Sequence, residues 1–365
     1  MIIKFDVESD LYRQIENLVK EGKYQDIIQF IKIATVNQLE EEKSGTLPSE
    51  VDDGFPISGT IKPKSDVFID FDSRKTTLTN LQFEKSEIER KDKDFIWSFY
   101  NRFFPVKIAI FSLAALVTPE KPWYDLEEWK ENAAIAAQGW YKVLREFELE
   151  NDVKMHQRIT IGLPTHNFEL TRVKKKSEKI KLQKKIESSK NRFVNQFVGR
   201  FNKKNETMEG ACFSMNLISV KFSGNRCLIS LTKLGKKFAL LENPLFKKDF
   251  TKVFSNDEVK LIYNEMISKF ITEQQIIKDV IQELKQKTLT SDQIQDIFTG
   301  YKKLIFEYTS DKPEELDEKQ KKDKIIQARV ATMGRLSELK IVDWEVINSI
   351  SHYSINKEKR TLLDI

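Results

Sequence analysis

Two short β-like runs, "LISVKF" (217–222) and "CLISLT" (227–232), flank "SGN" (223–225). Apolar, β-branched runs separated by a short glycine-containing turn specify a β-hairpin. This hairpin follows a long polar run (about 175–201) whose pattern predicts a basic helix. Helix followed by hairpin is the arrangement that most constrains the fold, and from residue 95 onward it recurs as a theme.

The first occurrence begins with "FIWSFYNRFFPVKIAIFSLAALV" (95–117), which reads as a helix. "YDLEEWKENAAIAAQGWYKVLREFELE" (124–150) adds helical pattern broken near Gly139, and "DVKMHQRITIGLP" (152–164) is strand-like. The third places helices at "EQQIIKDVIQELKQ" (273–286), "TSDQIQDIF" (290–298) and about 324–340, followed by strand-like "IVDWEVI" (341–347) and "SHYSIN" (351–356). In helix 324–340, Ile326, Val330, Met333 and Leu336 form the expected apolar stripe. Lys324, Gln327, Ala331 and Arg335 then occupy the opposite, outward face. The expected fold class is therefore mainly α with small β-hairpins.

The 365 residues suggest two or three domains, divided as 1–42, a linker at 43–94, then 95–170, 171–247 and 248–365. The linker follows from the Gly, Pro, Ser and Asp content of 43–94, with a short strand expected at "DVFIDF" and a helix start in "EKSEIERKDKD" (84–94). In residues 1–42, "IIKFDVE" alternates with period two and reads as a strand. Two amphipathic runs separated by Gly22 follow it.

No apolar run reaches the roughly 18–20 residues of a membrane span. The longest candidate, 103–117, is interrupted by Lys107 and reads as a buried helix. The N-terminus lacks a basic segment followed by an apolar one, and Cys212 and Cys227 supply neither a disulfide framework nor a CxxC knuckle. These features predict a cytoplasmic protein without membrane contact. His156, His166 and His352 are scattered, and no HxxxH, Walker-type or GxGxxG pattern occurs. The sequence thus predicts no enzyme, no cofactor and no metal.

Net charge is +5, from 61 Lys and Arg against 56 Asp and Glu, so any functional positive charge must be local. It concentrates in 172–192, where Lys174, Lys175, Lys176, Lys179, Lys184, Lys185 and Arg192 are candidate phosphate contacts. The run has no interleaved aromatics before Phe193 and Phe197, which does not favour stacking on single strands.

Helices followed by a β-hairpin resemble the winged helix, and "RLSELKIVDWEV…SHYSI" and "LISLTKLGKKFALL" are similar to its recognition-helix exit and wing exit. That resemblance implies a helix in the major groove and a wing on phosphate. It assigns base or phosphate contact to Lys324, Gln327 and Arg335 on the helix, and to Lys357, Lys359 and Arg360 of the wing. Residues 1–42, through "IIKFDV", "DLYRQIENLV" and "EGKYQDIIQFIKIA", resemble a ribbon-helix-helix module. This second resemblance implies a homodimer held by Ile3, Phe5, Val7, Ile27, Phe30, Ile31 and Ala34, with Lys4 on the DNA-facing side of the strand. Ile2 is apolar, and Asp6 and Asp26 are acidic, which favours dimerisation over base reading.

Together the resemblances imply a dimeric prokaryotic or archaeal regulator of transcription bound to double-stranded DNA, and the Lys/Ile/Asn/Phe-rich composition fits an AT-rich genome. The alternative is a non-catalytic subunit of a replication, segregation or phage-defence assembly whose winged helices bind protein partners.

Overall fold

In the computed structural model the chain divides into two units, residues 1–69 and 70–365. The described residues are 78–90, 94–203, 205–310 and 312–363, all in the second unit. They are mainly helical, with small antiparallel sheets, as expected from the pattern.

At the centre lies α1 (Phe104–Leu116), with residues 104–114 all buried. A helix apolar on every side needs neighbours on every side. One neighbour is α2 (Leu126–Glu150), whose buried Leu126, Trp129, Ala133, Ala137, Trp140 and Leu144 recur at helical spacing. Asp125 caps α2 by accepting from the amides of Glu127 and Glu128. The break expected at Gly139 is absent. A mid-helix glycine costs about 1 kcal/mol, less than the burial gained by keeping Ala137 and Trp140 in one register.

Two further expectations fail around α1. Residues 95–103 are not helical. The helix starts at Phe104 because the Glu338 carboxylate accepts from the amides of Phe103 (2.6 Å) and Phe104 (3.0 Å), and Pro105 sits in the first turn. Residues 152–164 form turns and a short 3-10 helix (Met155–Gln157) rather than a strand. Their donors are taken by a helix side chain: Glu148 accepts from Thr160 N at 2.8 Å and Thr160 Oγ1 at 2.9 Å.

The first sheet contains β1 (Tyr124–Asp125), β4 (Ile218–Ser223) and β5 (Arg226–Leu231) in the order β1-β5-β4. Ser223 pairs with Arg226 across a turn in which Gly224 takes a positive φ, as "SGN" predicts. Pairing of Tyr124 with Ile229 carries this sheet across the domain boundary expected near residue 171. Of the segment expected to begin a helix at 84–94, the described residues 84–90 instead run along β4. Glu87 N donates to Val220 O (2.8 Å), and Arg90 donates to the carbonyls of Phe213 and Ile218. An edge strand is thereby covered.

Between these elements stand α3 (Lys176–Phe193), a π-helical turn at Val194–Val198, β2 (Arg200–Asn202), β3 (Thr207–Glu209) and the short α4 (Ala211–Ser214). After β5 come α5 (Lys233–Leu240) and α6 (Asn256–Leu261). The remaining part holds α7 (Ile271–Leu284), β6 (Leu289–Thr290), α8 (Ser291–Gly300), α9 (Lys302–Thr309), α10 (Glu318–Glu338), β7 (Val342–Ile347), β8 (Ile350–Ile355) and α11 (Lys357–Leu363). Its sheet has the order β6-β8-β7, so again the last strand of the group is central.

Candidate nucleic-acid interface

The basic run of 172–192 becomes α3 and its lead-in. Of the helix's 18 residues only Ile186, Ser189 and Phe193 are buried. Lys176, Lys179, Lys184, Lys185 and Arg192 are exposed on the helix, and Lys174 and Lys175 are exposed just before it. At about 1.5 Å per residue the helix spans roughly 27 Å. Its acidic residues are Glu178, 3.5 Å from Lys175, and Glu187.

The C-terminal half of α3 lines a groove of about 560 Å³. Lys184 and Arg192 enter it from the helix, and Asn195 and Gln196 from the π-helical turn. Arg200 and Glu209 close it from the β2–β3 hairpin, joined by an ion pair of 2.7 Å. The hairpin base is held by glycine: a Cβ on Gly210, at φ +124°, would lie 2.4 Å from Gly199 Cα. No other residue permits that approach, so the two strands leave the end of α3 at a fixed position.

Trp97 and Phe99 also line the groove, with ring centroids 5.1 Å apart and planes at 74°. Phe99 is 49% exposed. Phe193 and Phe197, the aromatics nearest the basic run in sequence, are buried in the core instead.

The residues assigned to the second basic surface separate. Gln327, Lys357 and Arg360 are exposed. Lys324 is partly buried, and its Nζ donates to Thr309 O at 2.9 Å. Lys359 is 9% exposed and bonds Asn256, and burial lowers its pKa from the ordinary lysine value. Arg335 is 1% exposed and cannot read a base.

The expected faces of α10 hold in part: Met333 and Leu336 are buried and Gln327 is exposed, but the buried side also takes in residues expected to face outward. Ala331, Thr332 and Arg335 point inward, while Val330 is 41% exposed. The reason is a partner that the helix pattern does not show. Buried Glu273 on α7 lies 2.5 Å from Arg335 Nη2 and 2.8 Å from Thr332 Oγ1. Lys4, and the dimerisation residues Ile3, Phe5, Val7, Ile27, Phe30, Ile31 and Ala34, lie outside the described residues.

Sequence reasoning found Lys184 and Arg192 but missed Trp97, Phe99, Asn195, Gln196 and Arg200. The available signal was "WSF", two aromatics at alternate positions, hidden by the helical reading of 95–103. The chain matches no protein-family model, no curated protein and no solved structure.

Proposed function

We propose that this chain is a duplex-DNA-binding protein whose main phosphate surface is α3. The observation that carries this reading is the exposure of all ten Lys and Arg side chains of 172–192, along one helix and its lead-in. Such a surface attracts polyanions by releasing their counterions.

Two winged-helix units are the architecture we propose behind it. Support comes from the element order α7-β6-α8-α9-α10-β7-β8 with β8 central, echoed by α1-β1-α2, α4, β4 and β5 with β5 central. In the second unit α10 takes the recognition-helix position, with Gln327 exposed on it. In the first, α4 has four residues, three of them buried, and is too short to enter a groove. DNA contact there falls to α3. A dimer formed through residues 1–42 would add avidity, and regulation of transcription is the use that such a dimer would serve.

The deciding experiment is duplex binding by anisotropy at several salt concentrations. The wild-type chain would be compared with one whose Lys174, Lys175, Lys176, Lys179, Lys184 and Lys185 are changed to Glu. Binding that weakens steeply with salt, and is lost in the variant, supports the reading. A wild-type chain that binds no duplex at low salt overturns it.

A second reading is a non-catalytic assembly subunit, favoured by the tip of the β7–β8 hairpin. Val346, Ile347 and Ile350 are 36%, 49% and 48% exposed there, an apolar tip better suited to protein than to phosphate. Ser substitution at Ile347 and Ile350 would leave duplex affinity unchanged while weakening any protein complex.

A further inference from the structure

We propose that the groove beneath the β2–β3 hairpin holds unpaired nucleobases of single-stranded DNA, stacked on Phe99, with the flanking phosphates on Lys184 and Arg192. The proposal rests on the reading of α3 as a DNA surface and adds the form of DNA that this end of α3 selects.

Three observations converge. First, the exposed ring of Phe99 belongs to a wall of the same groove that the basic side chains enter. An intact duplex offers phosphates and base edges but no base faces within its length. A ring face beside Lys and Arg gains stacking only from a base that has left its stack. Trp97 packs against that ring in an edge-to-face pair, tilted 74° at 5.1 Å.

Second, the groove's volume of about 560 Å³ falls within the range of sites that take groups of nucleoside size. Third, Asn191, Asn195 and Gln196 line it, and each amide carries both donor and acceptor for a base edge. Of the acidic side chains there, Glu209 is engaged by Arg200 at 2.7 Å. Glu187 is suited to accept from an exocyclic amino group. Backbone charge, a stacking platform and edge partners together are what sequence-tolerant single-strand sites require.

The test uses the full chain and three DNA probes of the same length. These are a fully paired duplex, that duplex with a central run of unpaired thymines, and the single strand alone. We expect the unpaired run to raise affinity roughly tenfold over the paired duplex. The Phe99→Ala variant should lose roughly fivefold or more on the unpaired probe, as base–aromatic stacking predicts, with paired-duplex affinity unchanged. Phe99→Trp should restore the preference, and because Phe99 is half exposed these variants keep the fold, which circular dichroism verifies.

Equal affinity for paired and unpaired probes, or a Phe99→Ala variant that keeps the preference, overturns this inference and leaves the duplex reading standing. Binding of unpaired probes without binding of paired duplex overturns the duplex reading and supports this one. Binding to none of the three overturns both.

Discussion

Arg335 Nη2 lies 2.5 Å from Glu273 Oε1, with the two side chains 1% and 0% exposed. The same guanidinium donates to Tyr100 O at 2.9 Å, and Thr332 Oγ1 donates to Glu273 at 2.8 Å. One arginine on α10 thereby ties together α7 and the segment leading into α1. Removing one partner of such a pair leaves a buried charge without compensation, which costs about 3–5 kcal/mol. We predict that Arg335→Met destabilises the chain by about that amount in urea denaturation. Arg335→Met combined with Glu273→Leu should recover much of the loss, since a packed apolar pair avoids desolvating charge. If Arg335 were a DNA contact, the variant would instead fold normally and bind with a shallower salt dependence.

Glu338 ends the same helix and caps α1. Burial pushes its carboxyl up to about 7 from 4.5, against the pull of Arg102 and the two amides it accepts from. Between those values the folded chain keeps a proton that the unfolded chain has released. Stability therefore falls as pH rises from 4.5 to about 7, and the loss is complete above that. Glu338→Gln mimics the protonated form and removes this dependence. Denaturation at pH 5 and pH 8 should show the stability difference between the two proteins moving in favour of E338Q at the higher pH. A difference that stays constant across the two conditions would refute the assignment.

What was legible in the sequence, and what was not, divides along local and non-local physics. The β4–β5 hairpin was legible because its turn and its two runs are adjacent, and Gly224 supplies the positive φ in place. The exposure of α3 was legible because ten Lys and Arg within 172–192 leave no apolar stripe wide enough to bury. The burial of Arg335 on α10 was not, since its partner Glu273 is 62 residues away. Helical periodicity records which residues share a face and is silent on whether a charged face finds a buried partner. The β1 strand escaped for a related reason. Two residues, Tyr124 and Asp125, are too few for a period and become a strand only through pairing with β5. The groove combined both failures, since Trp97 and Phe99 reach α3 from about 90 positions earlier.

The separate fates of the predicted basic residues yield a comparison within one protein. Lys185 is exposed on α3, whereas Lys359 is 9% exposed and bonded to Asn256. Each phosphate contact contributes about 0.9 to the slope of log affinity against log salt on duplex DNA. Lys185→Gln should therefore lower that slope by up to about 0.9 without moving the melting temperature. Lys359→Gln should leave the slope unchanged and lower the melting temperature, because it loosens the contact of α11 with α6. Titrations at four salt concentrations, beside thermal melts, separate the two effects. A slope reduced by Lys359→Gln would place that side chain on the DNA surface after all.

In the sequence Lys107 is only the charge that interrupts an apolar run, and the structure gives that charge a partner set. Its Nζ lies 2.9 Å from Glu258 Oε1, both side chains are 0% exposed, and it donates to the carbonyls of Phe238 and Leu241 at the end of α5. An ammonium at a helix C-terminus satisfies carbonyls that have no intrahelical partner and meets the negative end of the helix dipole. Burial lowers the Lys107 pKa and raises that of Glu258, and each group's charge opposes the other's shift. Asn243 Nδ2 also donates to Glu258, and Ser255 N does so within the α6 capping box. Lys107→Met would remove the cation and leave both the carboxylate and the α5 carbonyls unmatched. We expect a loss of about 3–5 kcal/mol. Adding Glu258→Gln to that variant should return only part of it, because the amide keeps the contacts to Asn243 and Ser255 while the α5 carbonyls stay unpaired. Chemical denaturation of the single and double variants checks both steps. Full recovery in the double variant would mean that the carbonyls of Phe238 and Leu241 do not depend on Lys107.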